Sequence, residues 1–216
     1  MSKFSPLSDV AKLDNWRTTP YSKWSFHHVW EIVPSAEIKN NNQVIIPLSE
    51  NIKNTAKIAK LTKSYNVSLE GEVGIVGFHK GNISEGTNLI EAKNFANESG
   101  VDAMAISVGN THLQINKIAK IDINKIINIQ NTTNIPLVLH GSSGITYRMR
   151  RKIASNTNVA KFNIGTELRI VAGNSLRENI NSNRKIFDRL ELIKPTIIKI
   201  KNQTKKIIKN IGYTNE

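Results

Sequence analysis

The residues of this chain that could do chemistry sit where apolar runs stop. The run "IPLVL" ends in His140, which is followed by Gly141, Ser142, Ser143 and Gly144. The run "AMAISVGNT" leads to His112, and Glu70 and Glu72 follow "VSL". "VAKFNIGT" carries Asn163 and Ile164 and closes on Gly165 and Thr166. Imidazole nitrogen is a preferred zinc ligand, and a catalytic zinc keeps three protein donors and one open position. His112 and His140 at adjacent strand ends therefore suit one metal, although two donors do not complete a site. The small residues after His140 let backbone N–H groups approach an anion, and the serine hydroxyls add donors; "NIGT" can do the same. Either loop by itself reads as a tight turn, but on consecutive strands the two read together as a phosphate site. His27–His28 is a different case, because adjacent side chains on a strand point to opposite faces, so the pair reads as ordinary.

These residues need a scaffold, and the apolar periodicity supplies one. Ser49–Asn66 predicts a helix with Ser49 as N-cap, and Val67–Gly74 a strand. Gly86–Gly100 predicts a helix closed by Gly100 at C′, followed by a buried strand over Val101–Gly109. Residues 122–133 predict a helix, Ile135–Gly141 a strand, 146–157 a helix and Val159–Gly165 a strand. Residues 166–183 and the lysine-rich tail predict two more helices. Strand and helix alternate four times, which means βαβ units and a parallel sheet buried on both faces. In such a sheet all the carboxyl ends lie on one side, where α/β folds keep their sites.

With 216 residues the chain is long enough for one sizeable core. It has no cysteine, which excludes a disulfide framework and thiolate metal sites. No apolar run is long enough to span a bilayer, and Met1–Asp9 lacks the apolar block of a secretory signal, so a cytoplasmic protein without membrane contact is expected. The net charge is +13. Its densest segment, "IIKIKNQTKKIIKN" (Ile197–Asn210), places Ile197, Ile198, Ile200, Ile207 and Ile208 near helical spacing, so the lysines read as the wet face of an amphipathic helix rather than a nucleic-acid patch. Trp16, Trp24 and Trp30 all precede Glu31, and Asn40–Asn42 reads as a linker. Residues 1–43 are therefore taken as an N-terminal extension of different origin, and 44–216 as the α/β unit.

The segments "SLEGEVG", "GVDAMAISVGNTH", "PLVLHGSSGI", "AKFNIGTELRI" and "FDRLELIKP" resemble, in order and spacing, the class II zinc-dependent ketose-bisphosphate aldolases, over about residues 47–213. The resemblance implies a partial (β/α)8 barrel, roughly its last four β/α units, with "VIIPL" as the stub of a preceding strand. It implies cleavage of fructose or tagatose 1,6-bisphosphate to dihydroxyacetone phosphate and glyceraldehyde 3-phosphate, a lyase step of carbohydrate metabolism such as glycolysis. It implies Zn2+ on His112 and His140, with Glu72 at a buried alternative metal position. Gly141, Ser142, Ser143, Asn163, Ile164, Gly165 and Thr166 match segments that hold a ketose phosphate. Zinc in such a site polarises the carbonyl and stabilises the enediolate.

The chain also departs from the pattern of these enzymes. Their third zinc histidine and proton-transferring aspartate form a "DH" pair, and no "DH" occurs here, so no catalytic residue is assigned. A glycine after the first zinc histidine is Leu113, an acidic pair becomes Phe78–Lys80, and the aspartate of "N-I-D-T" is Gly165. His79 and Glu72 are the candidates for a third metal donor. Residues 1–40 weakly resemble the start of serine β-lactamase-like hydrolases, whose S-x-x-K nucleophile motif occurs here only as "SNRK" at Ser182 in a polar stretch. The expectation is a truncated, inactive or weakly active aldolase relative. The alternatives are a non-catalytic phosphate- or metal-binding half-barrel that pairs with another chain, a homodimer included, and, less favoured, a basic nucleic-acid binder.

Overall fold

The computed structural model of the chain describes residues 47–77 and 86–212, together with the backbone of Trp30–Glu31. The expectations for His27–His28, Asn40–Asn42, Val44–Ile46 and Phe78–Lys80, His79 among them, fall outside the described residues. A five-stranded sheet runs in sequence order, and every strand is parallel to its neighbour. Its strands are β1 (Trp30–Glu31), β2 (Leu69–Val73), β3 (Ala103–Ile106), β4 (Leu137–Leu139) and β5 (Val159–Phe162). The helices are α1 (Leu48–Ser64), α2 (Leu89–Glu98), α3 (Ile123–Gln130), α4 (Tyr147–Asn156), α5 (Thr166–Ser182) and α6 (Arg189–Asn210). The four β/α units expected from periodicity are all present, and a fifth, two-residue edge strand comes from the N-terminal third.

Local chemistry sets the boundaries. Asn88, Asp122 and Thr146 cap α2, α3 and α4, each accepting a hydrogen bond from a first-turn N–H. Gly100 follows α2 with a φ of +72°, the left-handed stop its sequence position suggested. Ser49 is not a cap: Pro47 holds the N-cap position of α1, and Ser49 lies inside the helix. Proline is tolerated there because the first-turn N–H groups have no helical partner.

The core fills the layer between sheet and helices. Leu69, Met104, Ile106, Leu137 and Leu139 face Ala92, Phe95, Ile126, Ile129 and Ile153, all buried. Each such branched side chain contributes about 1.5–3 kcal/mol by leaving water. The opposite face of the sheet carries only a small apolar cluster, Ala103, Ala105 and Val138. The space beside it is taken by Glu70 and His140, each only 1% exposed.

Helix α6 is turned differently from the sequence expectation. Thr196 and Ile207 are its buried residues, whereas Ile197 and Ile198 are 58% and 64% exposed. The helix packs chiefly on α5, and the face it presents includes the polar Gln203. The apolar stripe therefore lies partly in solvent. Among the described residues, no helix is long and apolar enough to cross a membrane.

Candidate functional site

Side chains from β2, from β5 and from the residue after β4 meet in a chain of ionisable groups. His140 follows β4, and its Nε2 lies 2.9 Å from Glu70 Oε1. Its Nδ1 lies 3.1 Å from Glu72 Oε2. Lys161 of β5 donates from Nζ to Glu70 Oε2 at 2.7 Å. Burial pushes the Glu70 carboxyl up, but the His140 hydrogen bond and the Lys161 charge outweigh it and hold the carboxyl below the usual range. His112 stands beside this chain, its ring centroid 5.8 Å from that of His140 and tilted by 51°. Burial first, and the neighbouring His140 second, lower the His112 pKa, with Glu72 opposing them.

Next to the two imidazoles opens a cleft of about 470 Å³, lined by His112, Leu113, Gly141, Ser143, Phe162, Asn163, Ile164, Gly165, Thr166 and Arg169. Its walls are the loop after β4 and the start of α5. Gly141 has a φ of +60°, and a Cβ there would stand 2.4 Å from the Thr111 carbonyl oxygen, so the loop can pass Thr111 only as glycine. The N-cap of α5 is Gly165, which has no side chain to cap the first turn. Ser143 supplies the missing acceptor from across the cleft, its Oγ taking the Glu167 N–H at 3.0 Å. The Arg169 guanidinium lies close over Gly165, 2.9 Å from where a Cβ would be. A helix N-terminus and a guanidinium on one concave surface make a positive field suited to an anion.

Behind the cleft, Glu167 accepts from Lys117 Nζ at 2.7 Å and from Arg150 Nη2 at 2.6 Å. It also accepts from Tyr147 Oη and Gln203 Nε2, each at 2.6 Å. Burial alone would raise the Glu167 pKa. The Lys117 and Tyr147 hydrogen bonds and the Arg150 charge win, and the value falls to about 2.

Most residues singled out from the sequence are thus neighbours. Gly141, Ser143, Asn163, Ile164, Gly165, Thr166 and His112 share the cleft, and Glu72 and His140 stand behind it. Ser142 is fully buried; its hydroxyl donates to the Leu139 carbonyl and its N–H to the Asn163 carbonyl, which ties β4 to β5. Among the described residues, no three histidine or carboxylate side chains converge as a metal-ligand group. His112, His140 and Glu72 are close: Glu70 holds Nε2 of His140, as a carboxylate commonly holds the outer nitrogen of a zinc-bound histidine, and Nδ1 is left facing Glu72. The two imidazoles would thus supply two of the three donors that zinc needs.

Periodicity did not single out Arg169, Lys161, Lys117 or Glu167. Arg169 and Glu167 sit in the first turn of a helix that starts at a strand end, which is a usable signal. Lys161 carries none. The register between β4 and β5 slips at Leu137/Val138, so Val138 pairs with Lys161. That bulge turns the lysine away from the core side, where Val159 points, to the Glu70 side.

The sequence model described as fructose-bisphosphate aldolase class-II matches residues 45–216. A 6-phospho-5-dehydro-2-deoxy-D-gluconate aldolase of Shouchella clausii is 32% identical over 173 residues, 79% of this chain and 59% of the relative. A fructose-bisphosphate aldolase of Staphylococcus aureus is 29% identical over 174 residues, 78% of this chain and 60% of the relative. The chain thus spans about 60% of the length of the curated relatives it matches. Among solved structures, the YdjI aldolase from Escherichia coli K12 superposes with a TM-score of 0.63 at 24% identity, covering 79% of this chain and 57% of the other. The fructose-bisphosphate aldolase from Campylobacter jejuni gives 0.63 at 20%, covering 78% and 57%. At these identities the superpositions establish the fold, a partial (β/α)8 barrel.

Proposed function

The chain belongs to the class II fructose-bisphosphate aldolase family, and from that premise we propose that it binds the phosphate end of a sugar phosphate while cleaving little or none of it. The observation that carries this reading is the cleft, where the loop after β4 and the start of α5 meet beneath Arg169. A small phosphate seated there would take N–H groups from the first turn of α5 and the Arg169 guanidinium as a charged fork. The ligand we favour is a triose phosphate of the dihydroxyacetone phosphate type, since the relatives that match the chain are named for aldol reactions on phosphorylated sugars.

Cleavage needs a group that moves a proton at the reacting carbon. The sequence has no aspartate–histidine pair, and the family resemblance implies a lost carboxylate where this chain has Phe78–Lys80. Loss of a general acid–base group costs roughly 10²–10⁴-fold in rate. The family is generally zinc-dependent, and a zinc ion here would have His112 and the Glu72-facing nitrogen of His140 as donors, one short of the three it needs. We further propose that β5, the last strand of the sheet among the described residues, offers its outer edge to a second chain, a homodimer being the simplest case.

Calorimetric titration with dihydroxyacetone phosphate tests the binding, and turnover of fructose 1,6-bisphosphate on the same zinc-supplemented sample tests the chemistry. The expected result is saturable binding, weakened at least ~10-fold by Arg169→Ala, with turnover far below ~1 s⁻¹. Absence of binding, or binding indifferent to Arg169→Ala, contradicts the binding half of the reading. Turnover at ~1 s⁻¹ or faster contradicts the other half.

A further inference from the structure

The Glu167 carboxylate collects four side chains from three parts of the fold. Lys117 comes from the loop after β3, Tyr147 and Arg150 from α4, and Gln203 from α6. Arg150 is fully buried, and the Glu167 side chain is 10% exposed, so these contacts are shielded from the solvent that makes surface ion pairs weak. Lys117 and Arg150 also lie over the Tyr147 ring, 4.5 and 4.8 Å from its centroid.

Glu167 touches the wall of the cleft by two routes. Its N–H donates to Ser143 Oγ at 3.0 Å. Lys117, anchored on its carboxylate, donates to the Ser143 carbonyl at 3.3 Å. Ser143 and Thr166, the residue before Glu167, both line the cleft. Gly165 offers α5 no cap of its own, so the start of this helix and the loop after β4 hold each other in place only while Ser143 stays where it is.

We propose that Glu167 is a positioning residue for the phosphate cleft: it locks the Ser143 loop and the first turn of α5 in register and ties both to α6 through Gln203. The inference rests on the phosphate reading above and deepens it. A negative charge beside an anion site opposes the anion, so a carboxylate that only happened to be near would weaken binding. A carboxylate that builds the site strengthens binding in spite of its charge. The two roles predict opposite signs for the same substitution.

The experiment is an NMR titration with inorganic phosphate, at a temperature where each protein is folded by its amide spectrum. It compares the full chain with Glu167→Gln, Tyr147→Phe and Gln203→Leu. Glu167→Gln keeps the shape, removes the charge and faces an amide NH₂ toward existing donors. It is expected to weaken phosphate binding by ~10-fold or more, because buried donors lose their acceptor. The uncharged changes Tyr147→Phe and Gln203→Leu are each expected to weaken it a few-fold on the same ground. Phosphate bound by the unaltered chain and bound equally or more tightly by Glu167→Gln overturns the positioning role and leaves the phosphate reading standing. Should Glu167→Gln fail to fold, the two uncharged variants decide: weaker binding supports the role, and unchanged binding in both overturns it. A full chain that takes up no phosphate overturns the phosphate reading, and the positioning role with it.

Discussion

His140 Nε2 lies 2.9 Å from Glu70 Oε1, and the other oxygen of that carboxylate holds Lys161 Nζ at 2.7 Å. Histidine and glutamate are each 1% exposed, so neither can fall back on water if the other is removed. Breaking a buried pair by deleting one partner costs about 3–5 kcal/mol. Glu70→Ala is therefore expected to lower stability by that order in urea unfolding at neutral pH. Lys161→Met should cost less, about 1–2 kcal/mol, because its side chain is 27% exposed and water can replace part of the pair. A loss below about 1 kcal/mol for Glu70→Ala would contradict the account of a buried, mutually dependent pair.

Glu167 makes stability depend on acidity. Its pKa falls from the ordinary 4.5 to about 2. A depressed carboxyl contributes stability that is present above its unfolded value and lost as pH falls through the folded one. The window is therefore pH 4.5 down to about 2, and the amount on the order of 3 kcal/mol. Unfolding free energies measured across this window should fall steeply for the native chain and by that much less for Glu167→Gln. Equal slopes for the two proteins would contradict the assignment.

Leu113 occupies backbone that suits glycine. Its φ is +56°, its side chain is 51% exposed, and it lines the cleft. Left-handed backbone costs a residue with a Cβ roughly 1–2 kcal/mol. Replacing Leu113 by glycine should therefore give a protein about 1 kcal/mol more stable than replacing it by alanine, the reverse of the usual order. Thermal unfolding of the two variants checks this, and the alanine variant being the more stable would contradict it.

What the sequence shows and what it hides have physical causes. The strands of the four β/α units are short apolar runs ended by glycine or a polar residue, and their order alone dictates a parallel sheet with its carboxyl ends on one side. That is why the sequence pattern alone brings His112, His140 and the two small-residue loops to one side of the sheet. The supporting contacts are tertiary. Glu167 finds partners at positions 117, 147, 150 and 203, separations that no local pattern encodes. Lys161 alternates with Ala160 and Phe162 as any strand residue would, and only the slip between β4 and β5 reveals the side it faces. In helix α6, Ile197 and Ile198 match an apolar stripe yet lie exposed, while the polar Gln203 reaches Glu167.

A ¹H–¹⁵N titration of the intact chain with dihydroxyacetone phosphate, recording which amides shift first, tests whether the cleft is the phosphate site. Binding at the cleft predicts that Gly141–Ser143 and Asn163–Thr166 move earliest and furthest and reach saturation together, while the lysine face of α6 from Lys194 to Lys209 stays still. Shifts led by the α6 lysines and weakening with added salt would mean that the phosphate is held only by general positive charge, and the reading of the cleft as its site would be wrong.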